Sequence, residues 1–129
     1  MIITCFAGSR QSGKSTLMQE LWLEDIENGI NSAIFFQVRR PYERFAIKYP
    51  AYRGQIFFTN PMSMMGADWR QFQKAYIDNF EMMDRREYEI IFSPLTEQVQ
   101  EVHIGIDISV FIRRLKPTHT NLPYLNRID

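Results

Sequence analysis

The stretch 8–16, GSRQSGKST, follows an apolar run at 2–7 and constrains the chain more than any other segment. Gly8, Gly13, Lys14 and Ser15 occupy every fixed position of the pattern G-x-x-x-x-G-K-[ST]. Two glycines let a backbone curl tightly enough for successive N–H groups to face one small volume, and a helix that follows adds its unsatisfied N-terminal donors and positive dipole end. Such a volume suits a phosphate group. The flanks agree with this reading, because Ile2, Ile3, Thr4, Cys5 and Phe6 read as a strand and a helical pattern begins near Ser15.

Through this Walker A motif the first thirty or so residues resemble the P-loop NTPase superfamily. The resemblance implies that Gly8, Ser9, Arg10, Gln11, Ser12, Gly13, Lys14, Ser15 and Thr16 wrap the phosphates of ATP or GTP. Lys14 would bridge the β- and γ-phosphates as the catalytic cation, and the Ser15 hydroxyl would sit on Mg²⁺, which prefers hard oxygen ligands.

Downstream, Leu17, Met18, Leu21, Trp22 and Ile26 recur at helical spacing up to the Asn28-Gly29 stop, predicting a helix over 15–28. The nearly continuous apolar run 33–38 predicts a strand covered on both faces, so the opening is a right-handed βαβ unit. Arg39 and Arg40 are expected at the end of that strand, where they would reach a nucleotide or a nucleic acid or simply face water. Pro41 starts and Pro50 closes a short helix carrying Tyr42, Phe45 and Tyr49, and 55–59 reads as a third strand broken by Asn60-Pro61. Met62, Met64 and Met65 read most simply as core filling, with a soft contact surface as the alternative.

From Asp68 onward, Trp69, Phe72, Tyr76, Phe80 and Met83 suggest one long amphipathic helix, with Asp68 and Gln71 as its capping box. A fourth strand is expected over 88–92. Over 96–115 the helical spacing of Val99, Val102 and Ile106 competes with the strict alternation of Ile104, Ile106, Ile108, Val110 and Ile112, and a short helix over 96–103 with a fifth strand over 107–115 is the favoured reading. The fold class is therefore α/β, a three-layer sandwich with a mainly parallel sheet of roughly five strands. The nucleotide-binding domain spans 1–116, and 117–129 reads as a loop or extended tail.

A hydrolysing enzyme of this kind pairs its loop with an apolar strand ending in an acid. Neither 55–59 nor 88–92 ends so, and Asp107, after Val102 to Ile106, is the one candidate, with a turn carboxylate as the simpler reading. His103 reads as structural, and His119 has no motif around it. Arg113 and Arg114 are candidates to stabilise phosphate charge or to face water.

The order of elements also resembles the DNA-translocating and viral DNA-packaging ATPases. That resemblance implies a nucleic-acid partner, copies assembled in a ring, and a polar sensor at the end of the fourth strand, for which Ser93, Thr96 and Gln98 are candidates. Nucleoside and nucleotide kinases begin similarly, and a binding module without turnover is the third reading. With 15 basic against 15 acidic residues, net charge advertises no partner. One cysteine and no long apolar run point to a cytoplasmic protein without a membrane span.

Overall fold

The computed structural model describes residues 2–8, 13–107 and 125–127. Its centre is a sheet of six parallel strands in the order β3-β2-β4-β5-β1-β6. These are β1 (Ile2–Gly8), β2 (Ser32–Phe36), β3 (Ile56–Phe58), β4 (Lys74–Ile77), β5 (Glu101–Asp107) and β6 (Leu125–Arg127). Parallel strands need crossovers, and α1 (Lys14–Glu27) and α2 (Arg39–Lys48) supply the first two.

The period of two along β2 shows why a nearly all-apolar run was required. Ala33 and Phe35 face one side and pack with Ala75 and Ile77 of β4 and Val102, Ile104 and Ile106 of β5. Ile34 and Phe36 face the other and pack against Met18 and Trp22 of α1 and Phe45 and Ala46 of α2. The sheet is thus covered on both faces, giving the three layers expected of an α/β sandwich. Cys5 of β1 is fully buried in the cluster that holds Ala33 and Phe35, and burial pushes its thiol up to about 12.

The opening elements lie where periodicity places them, with one adjustment. Arg39 and Arg40 open α2 rather than ending β2. After β3, the Asn60 side chain accepts the Met62 N–H at 3.1 Å and starts the single turn α3 (Pro61–Met64). Of the methionine triplet only Met64 fills the core, while Met62 and Met65 are exposed.

Between 68 and 107 the architecture departs from the sequence reading. No long helix starts at Asp68, which accepts the Arg70 N–H in a local turn instead of capping with Gln71. The chain then enters β4 and a 3-10 turn at Phe80–Met82. The supposed stripe is split between the two faces of the sheet: Trp69, Phe72, Phe80 and Met83 join one core, and Tyr76 joins the other.

The expected strand at 88–92 is helical. Asp84 accepts the Glu87 N–H at 2.8 Å, a D-x-x-E start, and α4 (Arg85–Glu87), a π-type stretch (Tyr88–Phe92) and α5 (Ser93–Gln98) run on from it. Pro94 has no N–H to give the preceding turn, which accounts for the local change of hydrogen-bond register. The helix expected over 96–103 ends at Gln98, and 101–103 belong to β5. A strand is present six residues before the expected start at 107, since β5 covers Glu101–Asp107, and 108–115 lie outside the described residues. Three residues of the expected tail, Leu125–Arg127, pair with β1 as β6.

At the amino edge of the sheet a polar network ties α1 to the strands. Asp25 accepts from Ser32 Oγ at 3.0 Å and from the Tyr76 hydroxyl at 2.5 Å, and Lys74 Nζ lies 3.4 Å from its other oxygen. Lys74 also reaches Glu101 at 3.5 Å. Burial works against the Lys74 charge, but Asp25 and Glu101 outweigh it and hold the ammonium above its ordinary range. His103 lies between the rings of Phe6 and Tyr76, with centroids at 5.9 and 4.9 Å, and its Nε2 is 3.5 Å from Glu101.

Replacing Asp25 by Ala leaves the Ser32 and Tyr76 hydroxyls and Lys74 without their acceptor, and urea titration should show a loss of about 3 kcal/mol. Burial lowers His103 from its ordinary 6.5, so the unfolded chain takes up that proton first. Stability contributed by neutral His103 is therefore present above about 6.5 and is lost as pH falls through the lower folded value. Melting temperature should decline over that window, and His103→Phe should flatten the decline.

Candidate functional site

Because all six strands are parallel, their carboxyl ends share one edge, where ligands of open α/β sheets bind. β1 delivers Gly8 to that edge, buried and in register with Asp107 of β5. Residues Ser9, Arg10, Gln11 and Ser12 lie outside the described residues. The chain returns at Gly13, whose φ of 83° is left-handed and suits glycine, and which accepts the Leu17 N–H at 3.0 Å.

α1 then begins at Lys14 without a capping side chain and without an acid in its first turn. Its first N–H groups have no intrahelical acceptor and carry the positive end of the helix dipole. Ser15 is half-buried and Thr16 exposed in that turn. The backbone of Gly8, Gly13 and the first turn of α1 (Lys14, Ser15 and Thr16) therefore lies at the sheet's carboxyl edge.

The carboxylate that sequence reasoning missed follows β4. Asp78 is 4% exposed, its N–H donates to Phe35 O at 3.1 Å, and its Oδ1 accepts the Asn79 N–H at 2.9 Å. Asn79 turns the chain with a φ of 52°, a conformation Asn tolerates. This turn carries the chain into Phe80–Met82, where Glu81 is also buried and accepts the Asp107 N–H. Asp78, Glu81 and Asp107 thus come from the ends of two neighbouring strands, one of which pairs with the strand of Gly8.

Among the described residues no group of three or more His, Cys, Asp or Glu side chains has the geometry to hold a metal by itself. A cation at this edge would take its remaining ligands from a hydroxyl, from phosphate oxygens and from water, as Mg²⁺ habitually does. Asp78 and Ser15 are the oxygen donors whose chemistry fits it.

Gly105 makes room for this arrangement. A Cβ at that position would lie 2.5 Å from Met18 Sδ and 3.3 Å from Asp78 Oδ1, so the bare backbone of β5 allows both to approach.

Asp107, the one acid considered from the sequence, is buried at the described end of β5 beside Gly8. The sensor candidates stand elsewhere, because their segment is helical: Thr96 Oγ1 donates to Ser93 O at 2.7 Å, and Gln98 Oε1 accepts the Trp69 N–H at 2.6 Å. Those bonds serve α5 and its packing. Arg113, Arg114 and His119 lie outside the described residues. The signal for Asp78 was the short run Ala75-Tyr76-Ile77 ending in an acid, obscured by the helical spacing of the aromatic residues around it.

No protein-family model and no curated protein matches the chain. Among the described residues no helix is long and apolar enough to cross a membrane.

Gly105→Ala should destabilise the fold by about 1–3 kcal/mol through overpacking against Met18. In a Met18→Ala background the same substitution should cost less, a coupling readable from a double-mutant cycle of thermal or urea unfolding.

Proposed function

We propose that this chain binds a magnesium nucleoside triphosphate, ATP in the first instance, at the carboxyl edge of its sheet and hydrolyses it as the ATPase core of a machine acting on nucleic acid. The observation that carries the reading is Asp78, a buried carboxylate at the end of a strand two positions from the phosphate-loop strand in the sheet. The resemblance to P-loop ATPases asks for an acid after an apolar strand, and β4 supplies one.

Two strand spacings amount to about 10 Å. That separation leaves space between the loop and Asp78 for the terminal phosphate and the water that attacks it. In this reading the α1 amino terminus and the loop backbone hold the phosphates, and Lys14 supplies charge toward the β- and γ-oxygens. Ser15 and Asp78 would hold Mg²⁺, whose charge would offset that of the phosphate oxygens. Glu81, fixed by the Asp107 N–H, orients the attacking water and accepts its hydrogen bond. Hydrolysis forms a bond from water oxygen to the γ-phosphorus, breaks the bond to the β,γ-bridging oxygen and releases ADP, phosphate and the water's proton.

Calorimetric titration with ATP and Mg²⁺ tests the site. Lys14→Ala should weaken affinity by about tenfold or more, the loss of one charge-assisted contact, and unchanged affinity would overturn the assignment. Asp78→Asn should keep metal-free nucleotide binding but lose the Mg²⁺-dependent gain and the turnover. Stimulation of hydrolysis by DNA supports action on nucleic acid, whereas phosphate transfer to an added nucleoside would replace it with a kinase.

A further inference from the structure

The chain carries equal numbers of acidic and basic residues, yet they are unevenly placed. Over 39–53 there are five cations, Arg39, Arg40, Arg44, Lys48 and Arg53, and a single acid, Glu43. Glu43 is engaged by Arg39 at 3.8 Å, and the Arg39 guanidinium also lies 4.6 Å over the Phe58 ring. Arg40, Arg44, Lys48 and Arg53 are exposed and have no acidic partner among the described residues.

Three of these cations form a ladder. Arg40, Arg44 and Lys48 are spaced by four residues and so share one face of α2, about 6 Å apart along its axis. The opposite face is committed to the core, where Phe45 and Ala46 are buried against the sheet. Arg44 and Lys48 also line a shallow groove with Gln19 of α1. A neighbouring hollow shared by Lys48, Gln19 and the acid Glu20 reaches Thr16 in the first turn of α1.

We infer that this ladder on α2 is a docking surface for the sugar–phosphate backbone of nucleic acid. The inference rests on the proposed action on nucleic acid but requires no nucleotide at the phosphate loop. A regular row of cations suits a regular row of phosphates, and guanidinium groups match phosphate oxygens in two-pronged hydrogen bonds. Membrane docking lacks its apolar half, since Ile47 is the one large hydrophobic residue exposed on α2. Such contacts position a polymer without reading its sequence. The groove that Arg44 and Lys48 share with Gln19 places a polymer held there beside α1, the helix that begins at the proposed nucleotide loop.

The test is binding of a short, mixed-sequence, labelled DNA duplex to the full chain without nucleotide, at salt concentrations between about 50 and 200 mM. The wild-type chain should bind at micromolar or weaker affinity, with log K falling against log salt at a slope of about −3. The triple variant Arg40→Ala/Arg44→Ala/Lys48→Ala should bind at least about tenfold more weakly and lower the slope by about one per cation, with an unchanged melting temperature. A control, Arg70→Ala/Arg85→Ala/Arg86→Ala, removes as much charge elsewhere and should bind DNA as the wild type does.

Equal losses in the two triple variants would reduce the effect to net charge and overturn the inference. Absence of DNA binding, or ladder-dependent binding to phosphatidylserine vesicles in place of DNA, would also overturn it. Because nucleotide is omitted, a failure here leaves Lys14-dependent ATP binding standing, and a failure of ATP binding leaves this surface standing.

Discussion

Parallel pairing of β1 with β5 is the constraint on which the rest of the molecule depends. Seven residues of each strand run in register from Ile2 opposite Glu101 to Gly8 opposite Asp107. Pairing about a hundred residues apart in sequence forces everything between to be laid down as covered layers. It also sets the amino end of the chain against a strand made after most of the fold. Since every strand points the same way, residues that end strands meet at one edge regardless of their distance along the chain. Gly8, Asp78 and Asp107 come to the same edge for that reason.

The opposite edge does different work. There Asp25, Ser32, Lys74, Tyr76 and Glu101 interlock, and His103 is held between aromatic rings. These groups anchor the far end of α1, so the helix that begins at Lys14 is fixed at its other end by polar bonds and along its length by Met18 and Trp22. Burial pushes the Tyr76 hydroxyl upward, and its proton stays available for donation to Asp25. The Gly105 backbone adds a close approach of α1 to β5 at the level of Asp78.

How much of this was legible in the sequence differs by region, and the reasons are physical. From Ile2 to Phe58 the signals agree: a glycine-bounded loop, a helix with a clear stop at Asn28-Gly29, and an apolar run in β2 too continuous for an exposed face. Between Asp68 and Asp107 two periodicities compete. Trp69, Phe72, Tyr76, Phe80 and Met83 satisfy helical spacing, yet β4 is only four residues long and offers little alternation to set against it. The residues YEIIF have strong strand propensity, but Asp84 and Glu87 start a helix before them, and packing of Ile91, Phe92 and Leu95 on the sheet keeps it. Misplacing β4 hid Asp78 as an acid at the end of an apolar strand. The G-x-x-x-x-G-K-[ST] pattern itself stood out because it demands fixed residue types at fixed spacing.

The central claim is that a metal-bound nucleotide sits between the phosphate loop and Asp78. Crystals grown with a non-hydrolysable ATP analogue and Mn²⁺ in place of Mg²⁺ test it most directly, because anomalous scattering locates the metal independently of its surroundings. The account predicts a single strong peak at the carboxyl edge of the sheet, ligated by Ser15 Oγ and the analogue's phosphate oxygens, with Asp78 bound to it directly or through water. Nucleotide bound away from Gly8 and Lys14, or a metal peak remote from Asp78, would contradict it.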